Sequence, residues 1–184
     1  MPVRCTSPID PSLIPRLKAG DSVLLSGVVY TARDAAHARM INAIKTGKAL
    51  PIDIRGQTIF YAGPTPAPPG RVSGAIGPTT SVRMDSFTPA LLLRGLQAII
   101  GKGDRGAEVI QAIRDSGAVY FTAPAGCAAY LSRCIQSVEV VAYEDLGTES
   151  IKRLTVCDLP LMVAVDYKGN DIYKLGPEAW LSGS

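Results

Sequence analysis

The chain has 184 residues, a net charge of +3 and 47% hydrophobic residues, while only 19% of its residues are charged. A chain of this length buries roughly 70% of its extended surface, so it can form a hydrophobic core, and its apolar content excludes wholesale disorder. The weak positive charge is scattered and there are only three Phe and one Trp, which argues against a nucleic-acid-binding protein. The sequence shows neither a membrane-length apolar run nor a secretory signal, so we expect a soluble cytoplasmic protein.

Four cysteines and one histidine limit the chemistry that this chain can carry. Cys5, Cys127, Cys134 and Cys157 have no CxxC spacing, so we predict reduced thiols and no zinc or self-contained iron–sulfur site. Since His37 is the single histidine, most histidine-built metal sites and catalytic triads are excluded as well. Any catalysis must then use Arg, Lys, Thr, Ser, Asp or Tyr, or groups from another chain.

The N-terminal part of the sequence predicts an arm followed by a strand. Residues 1–20 contain four prolines and are expected to form an extended arm, with residues 21–184 as one domain. Residues 22–31 are rich in Val, Leu and Tyr, which predicts a strand with a break or bulge at Gly27.

A helix and a long loop are predicted next. Apolar residues recur at helical spacing in residues 33–47, and Asp34 is expected to cap this helix. A short strand is expected at 58–62. The following loop, residues 63–80, contains five prolines and four glycines, and loops of this length in compact domains are usually functional or disordered. Residues 83–97 predict a helix.

The second half of the sequence alternates predicted strands and helices. Strands are expected at 98–100, 118–123 and 138–143. Helices are expected at 105–117 and 125–135. A turn or short helix is expected at 144–154, followed at 155–166 by one or two strands broken at Pro160. This alternation predicts an α/β fold of two or three layers.

The segment GPTTSVRMD, which follows the proline- and glycine-rich loop, is the first candidate site. Thr79, Thr80 and Ser81 place three hydroxyls at a predicted helix N-terminus, where unpaired N–H groups attract an anion. Arg83 lies one turn beyond Thr79 and can bind the same anion through two hydrogen bonds. The alternative is simple helix capping, with Asp85 interacting favourably with the helix dipole.

Two further cations lie at predicted strand ends, which are favoured ligand sites in α/β sheets. Lys102 lies between two glycines after a strand, and Arg33 lies between a strand and a helix that carries Asp34 and His37. The alternatives are an ordinary turn with a solvated lysine, and a surface arginine beside a capping aspartate and a structural histidine. Together with Arg83, these cations suit a dicarboxylate. The sequence provides no obvious general base or metal ligands, which indicates half of an active site.

Several motifs together resemble the β subunit of class I, iron–sulfur-dependent fumarate hydratases. They are GPTTSVRMD, VVYTARDAAHARM, the GKG turn, and SVEVVAYEDLGTESIKRL with VCDLPLMVAVDYKGND. The resemblance covers roughly Gly20 to Tyr173, and the related L(+)-tartrate dehydratase β subunit is similar enough to be an alternative. It implies a swivelling β/β/α domain of short strands alternating with helices. It also implies a hydro-lyase that hydrates fumarate reversibly to (S)-malate, at a site shared with an α subunit carrying a [4Fe–4S] cluster.

The resemblance also implies roles for the candidate residues. Thr79 is expected to be the catalytic base, and the substrate carboxylates are expected to bind around one cavity to Arg33, Arg83 and Lys102. Supporting positions behind these residues are expected at His37, Thr80 and Asp85. No cluster ligand is expected on this chain, which should therefore be inactive without its α subunit in a hetero-oligomer. A non-catalytic module that binds anions or assembles with a partner is the other open alternative.

Overall fold

The computed structural model describes residues 1–182, in which short strands alternate with helices along most of the chain. The strands are β1 (Val3–Ser7), β2 (Ser22–Thr31), β3 (Thr58–Phe60), β4 (Ala98–Gly101), β5 (Val119–Thr122), β6 (Ile135–Ala142) and β7 (Ile151–Val165). The α-helices are α1 (Asp34–Lys45), α2 (Thr88–Leu92), α3 (Ala107–Ser116), α4 (Ala128–Leu131) and α5 (Ile172–Ser182). The predicted α/β class is confirmed. Residues 183 and 184 of the predicted domain lie outside the described residues.

The seven strands form one sheet that closes into a small barrel. Their order is β1-β2-β3-β4-β5-β7-β6, and an additional pairing between β2 and β7 closes the ring. The strands β1 to β5 pair in parallel, whereas β7 runs antiparallel to β2, β5 and β6. Parallel neighbours need crossover connections, which α1 provides between β2 and β3 and α3 provides between β4 and β5.

Alternate residues of the parallel strands face two different hydrophobic clusters. Phe60 and Ile100 pack with residues of β1, β2, β5 and β7 in one cluster. The neighbouring residues Ile59 and Ile99 pack with α1, α2 and α3 in the other. Because successive side chains of a strand point to opposite faces, both faces of these strands are buried, as expected for strands covered by helices.

The N-terminal segment, predicted as an extended arm over residues 1–20, contributes a strand to the sheet. β1 pairs with β2 in register as far as Ser7 opposite Gly27. A Cβ atom at Gly27 would overlap the carbonyl oxygen of Ser7, and the β2–β7 register shifts at this glycine, so the predicted bulge is confirmed. Buried residues of the same segment are Cys5, Ile9, Ile14 and Leu17.

The predicted helix over residues 83–97 is wrong as a single element. The chain forms a short 3-10 helix at Ser81–Met84 and then α2, which begins beside Pro89. Gly95 follows in the left-handed region with φ of 88° and turns the chain toward β4. No helix within residues 1–182 combines the length and apolar character needed to cross a membrane.

Candidate active site

Asp34 brings two of the predicted cations together at the end of β2. The Nε atom of Arg83 lies 3.1 Å from Oδ1 of Asp34, and Nη2 of Arg83 donates a hydrogen bond to Oδ2 at 3.2 Å. The Nε atom of Arg33 lies 3.8 Å from the same Oδ2. Two guanidinium groups from distant parts of the sequence therefore share one carboxylate.

The predicted capping of α1 by Asp34 is wrong. Asp34 is the first residue of α1, and the preceding Arg33 makes no capping hydrogen bond with its side chain. Instead, the backbone N–H of Ala35 donates to Oε2 of Glu149 at 2.9 Å, and Oε1 of Glu149 lies 3.6 Å from Nη2 of Arg33. Because a carboxylate from the distant 3-10 helix Glu144–Glu149 satisfies the helix N-terminus, the Asp34 carboxylate contacts the arginines instead.

Thr79 lies at the end of the proline- and glycine-rich loop and contacts Arg83. Its hydroxyl oxygen accepts a hydrogen bond from Nη2 of Arg83, and its backbone N–H donates to the carbonyl of Tyr61 at 2.7 Å. Thr80 occupies the position before the 3-10 helix Ser81–Met84 and makes no capping hydrogen bond with its side chain. The structure therefore gives the Thr79 hydroxyl an arginine partner, and the simple capping alternative does not describe this turn.

The backbone of Lys102 pairs with the backbone of Thr80 and Ser81. Thr80 and Lys102 form an isolated parallel bridge, in which the N–H of Ser81 donates to the carbonyl of Lys102 at 3.0 Å. A pocket of about 590 Å³ opens here, and its lining includes Thr80 and Lys102 but neither Arg33 nor Arg83. The structure thus joins Arg33 to Arg83, and Lys102 to Thr80. That all three cations surround one cavity stays a prediction.

His37 lies behind Arg33 and is completely buried. Its Nδ1 lies 2.9 Å from the carbonyl oxygen of Arg33, and since a carbonyl only accepts, Nδ1 carries the proton. The ring meets Tyr61 edge-on, with centroids 5.0 Å apart, and Nε2 has no hydrogen-bond partner among the described residues. Burial lowers the pKa of His37 to about 4, although the hydrogen bond to Arg33 opposes the shift. The imidazole is therefore neutral and holds the backbone at Arg33.

Asp85 pairs with Arg105, a residue that sequence reasoning missed, rather than with Arg33, Arg83 or Lys102. Oδ1 of Asp85 accepts from Nε of Arg105 at 2.7 Å, and Oδ2 accepts from the N–H of Gly106 at 2.7 Å. The Arg105 side chain is fully buried between the rings of Tyr61 and Tyr120, at 5.5 and 5.0 Å from their centroids. Arginine is rarely this buried unless paired, and nothing in the sequence around Arg105 signals such burial.

Comparison with known proteins identifies the family of this chain. Residues 3–176 match the family model described as the fumarase C-terminus. The chain belongs to this fumarase C-terminus family. A protein of Methanocaldococcus jannaschii named "Putative L(+)-tartrate dehydratase subunit beta" is 40% identical over 167 residues, which cover 88% of this chain and 86% of the relative. The predicted family resemblance is thereby confirmed.

Two longer relatives of the fumarase C-terminus domain are fumarate hydratases. The aerobic class I fumarate hydratase of Escherichia coli K12 is 40% identical over 152 residues, covering 82% of this chain. Fumarate hydratase 2 of Leishmania major is 38% identical over 156 residues, covering 84% of this chain. The aligned region is only 28% of each of these relatives, so this fumarase C-terminus chain corresponds to a minor part of their length.

The [4Fe–4S] cluster implied by the resemblance finds no ligand set among the described residues of this fumarase C-terminus chain. Within residues 1–182, no group of three or more His, Cys, Asp or Glu side chains is placed to hold a metal ion. Cys5 is buried, Cys134 is half-buried, and Cys127 and Cys157 are exposed. A cluster of this type needs several convergent thiolates, so these four cysteines do not fit it.

Proposed function

We propose that this chain is the β subunit of a two-subunit hydro-lyase, in which it supplies the substrate-binding cations and the base. The proposed reaction is the reversible hydration of fumarate to (S)-malate, at a site shared with an α subunit that carries the [4Fe–4S] cluster. The observation that carries the proposal is the chain of contacts from Thr79 through Arg83 and Asp34 to Arg33. We propose a cytoplasmic location for this assembly, because the four cysteines of this chain are free thiols and reducing compartments keep thiols in that state.

Arg33, Arg83 and Lys102 are proposed to bind the two carboxylates of the substrate. Fumarate is a planar dianion, and removal of the proton next to a malate carboxylate builds further negative charge on that carboxylate. Guanidinium groups can bind carboxylates through two parallel hydrogen bonds, and fixed donors of this kind contribute a few kcal/mol each to transition-state stabilisation. The shared Asp34 orients the two arginines before the substrate arrives.

Thr79 is proposed to be the base that removes this proton. A threonine hydroxyl is a weak base, because its alkoxide is costly to form at neutral pH. The Arg83 guanidinium already donates to the Thr79 oxygen, and a neighbouring cation favours the deprotonated form of a hydroxyl. The contact between Thr79 and Arg83 therefore supports a role for Arg83 in both substrate binding and base activation.

A second candidate substrate is L(+)-tartrate. The Methanocaldococcus jannaschii relative named for tartrate dehydratase matches this chain over most of both lengths, whereas the fumarate hydratases are much longer. Tartrate is also a C4 dicarboxylate, so the same cations suit it. Dehydration of tartrate likewise removes a proton next to a carboxylate, which makes the proposed residue roles identical for the two substrates.

The test is to assay this chain alone and after anaerobic assembly with the cluster-bearing subunit from the same organism. We expect no turnover by the chain alone, and hydration of fumarate or dehydration of L(+)-tartrate by the complex. Complexes with Thr79→Ala serve as the matched control for activity that depends on this chain. Turnover by the chain alone would contradict the shared site, and a stable complex that is inactive on both dicarboxylates would favour a non-catalytic anion-binding or assembly module.

A further inference from the structure

All four backbone polar groups of Lys102 and Gly103 are hydrogen-bonded to other parts of the protein. The N–H of Lys102 donates to Oγ of Ser81 at 3.0 Å, and its carbonyl accepts from the N–H of Ser81 at 3.0 Å. The carbonyl of Gly103 accepts from the Tyr120 hydroxyl at 2.8 Å, and its N–H donates to the Tyr173 hydroxyl oxygen at 3.2 Å. Three of these four partners are side-chain hydroxyls, so the protein itself, rather than solvent, holds this turn.

The Tyr120 hydroxyl connects the two halves of this network. It donates to the carbonyl of Gly103 at 2.8 Å and to Oγ of Ser81 at 3.0 Å, sharing its one proton between these two acceptors. The Ser81 oxygen accepts in turn from the N–H of Lys102. A connected network of hydrogen bonds therefore joins Lys102, Ser81, Tyr120 and Gly103, and the bonds of such networks strengthen one another.

The surroundings of these two hydroxyls hold them in place. Ser81 and Tyr120 are both fully buried. A Cβ atom at Gly101 would overlap the Ser81 hydroxyl oxygen, so a glycine is needed for Ser81 to reach the turn. The Tyr120 ring packs against the Arg105 guanidinium at 5.0 Å. Burial raises the pKa of the Tyr120 hydroxyl, which therefore keeps its proton and remains a donor.

We propose that Ser81 and Tyr120 are positioning residues that hold the Lys102 turn against Thr79 and Thr80, so that the lysine can bind a substrate carboxylate. This inference rests on the function proposed above. A lysine side chain has a flexible four-carbon stem, so the position of its ammonium depends on how firmly the backbone is held. Ser81 directly follows the two threonines and hydrogen-bonds the lysine turn, so one residue links the two motifs.

Single-hydroxyl variants of the assembled complex test this role. Ser81→Ala and Tyr120→Phe each remove one hydroxyl of the hydrogen-bond network, and Tyr61→Phe is the matched control. Tyr61 is equally buried, but its hydroxyl bonds Thr88 at 2.9 Å and does not touch the lysine turn. We expect the first two variants to raise KM about tenfold with kcat changed less than about threefold, since small misplacements of binding groups are costly. The control should lower the melting temperature with an unchanged KM.

The double variant adds a check on this hydrogen-bond network. Because Ser81 and Tyr120 act through the same hydrogen bonds, the double variant should be no worse than the more affected single variant. Additive effects on KM would contradict a shared network. A KM for Tyr120→Phe equal to that of Tyr61→Phe would overturn the positioning role.

Hydrogen exchange in the isolated chain separates this inference from the proposed function. The backbone amides of Lys102 and Gly103 should exchange at least about tenfold faster in Ser81→Ala and Tyr120→Phe, and at the wild-type rate in Tyr61→Phe. Unchanged exchange in both variants would overturn the inference whatever the activity of the complex. If the wild-type complex turns over neither dicarboxylate, the proposed function fails, while the exchange rates still decide whether these hydroxyls hold the turn.

Discussion

Asp34 and Arg83 are 49 positions apart in the sequence, yet two contacts of 3.1 and 3.2 Å join the carboxylate to the guanidinium. The side chains remain 38% and 46% exposed, respectively. Ion pairs this exposed contribute only about 0–1 kcal/mol to the free energy of unfolding. The pair therefore matters more for where the guanidinium points than for the stability of the fold.

Asp34→Asn in the assembled enzyme should therefore lower kcat/KM about tenfold, as expected for loss of a group that orients a binding residue. The substitution keeps the shape of the side chain but removes the charge that Arg83 and Arg33 share. The melting temperature should change by no more than a few degrees, because the pair is exposed. Steady-state kinetics and thermal melts check both parts. A lower KM in the variant would show instead that Asp34 competes with the substrate for the arginines.

Thr79→Ala should lower kcat by at least about 100-fold in the assembled enzyme, the lower end for loss of a positioned general base. KM should change little, because the arginines still bind the carboxylates. Thr79→Ser keeps the hydroxyl but frees χ1, so it should retain part of the activity. The Thr79 hydroxyl bonds the side chain of Arg83 and does not cap the 3-10 helix. Both substitutions should therefore leave the melting temperature nearly at the wild-type value. A near-normal kcat in Thr79→Ala would rule out the role as a base.

Arg83→Lys should raise KM by about tenfold or more, although it conserves the charge. The guanidinium contacts both Asp34 and Thr79, and a lysine ammonium cannot reproduce a planar group with donors in several directions. Arg55→Lys is the matched control, because Arg55 forms an exposed ion pair with Asp53 at 2.8 Å outside the site. Wild-type KM in Arg83→Lys would show that only charge is needed at this position.

The site was predictable from the sequence where local motifs carry it, and not where distant segments meet. The predicted strand ends placed Arg33 after β2 and Lys102 after β4, where the structure has them. The capping prediction for Asp34 failed because Glu149, more than a hundred residues away in the chain, occupies the helix N-terminus. Arg105 was missed because its burial depends on two tyrosines brought beside it by β3 and β5. Such contacts exist only once the sheet is assembled.

The fold was predictable where hydrophobic periodicity is strong, as in β2, α1 and α3, and less so near prolines. The break predicted at Pro160 is absent, since β7 is continuous from Ile151 to Val165. β6 pairs with β7 as far as Val156 and β5 pairs with it from Met162, so Pro160 lies in the interval between these partners. A proline that cannot donate costs least at such a place, which depends on sheet topology.

His37 makes stability depend on pH in a direction that its burial fixes. Its pKa is lowered from 6.5 to about 4, chiefly by burial, with Arg105 lowering it further and the Arg33 carbonyl and Asp34 raising it. Between these two values the unfolded chain binds more protons at this residue than the folded protein does. The free energy of unfolding therefore falls as the pH drops through this window, and the loss levels off below about 4.

The expected loss from His37 across the window is about 3 kcal/mol, at roughly 1.4 kcal/mol for each unit of pKa difference. His37→Asn should remove this part of the acid sensitivity, because an amide can still donate to the Arg33 carbonyl but does not titrate. Urea unfolding at several pH values, compared between the variant and the wild type, isolates the contribution from that of the carboxylates. Since the chain has a single histidine, its imidazole NMR signals also report the folded-state pKa directly. A titration midpoint near 6.5 in the folded protein would contradict the buried, neutral imidazole and with it the predicted pH dependence.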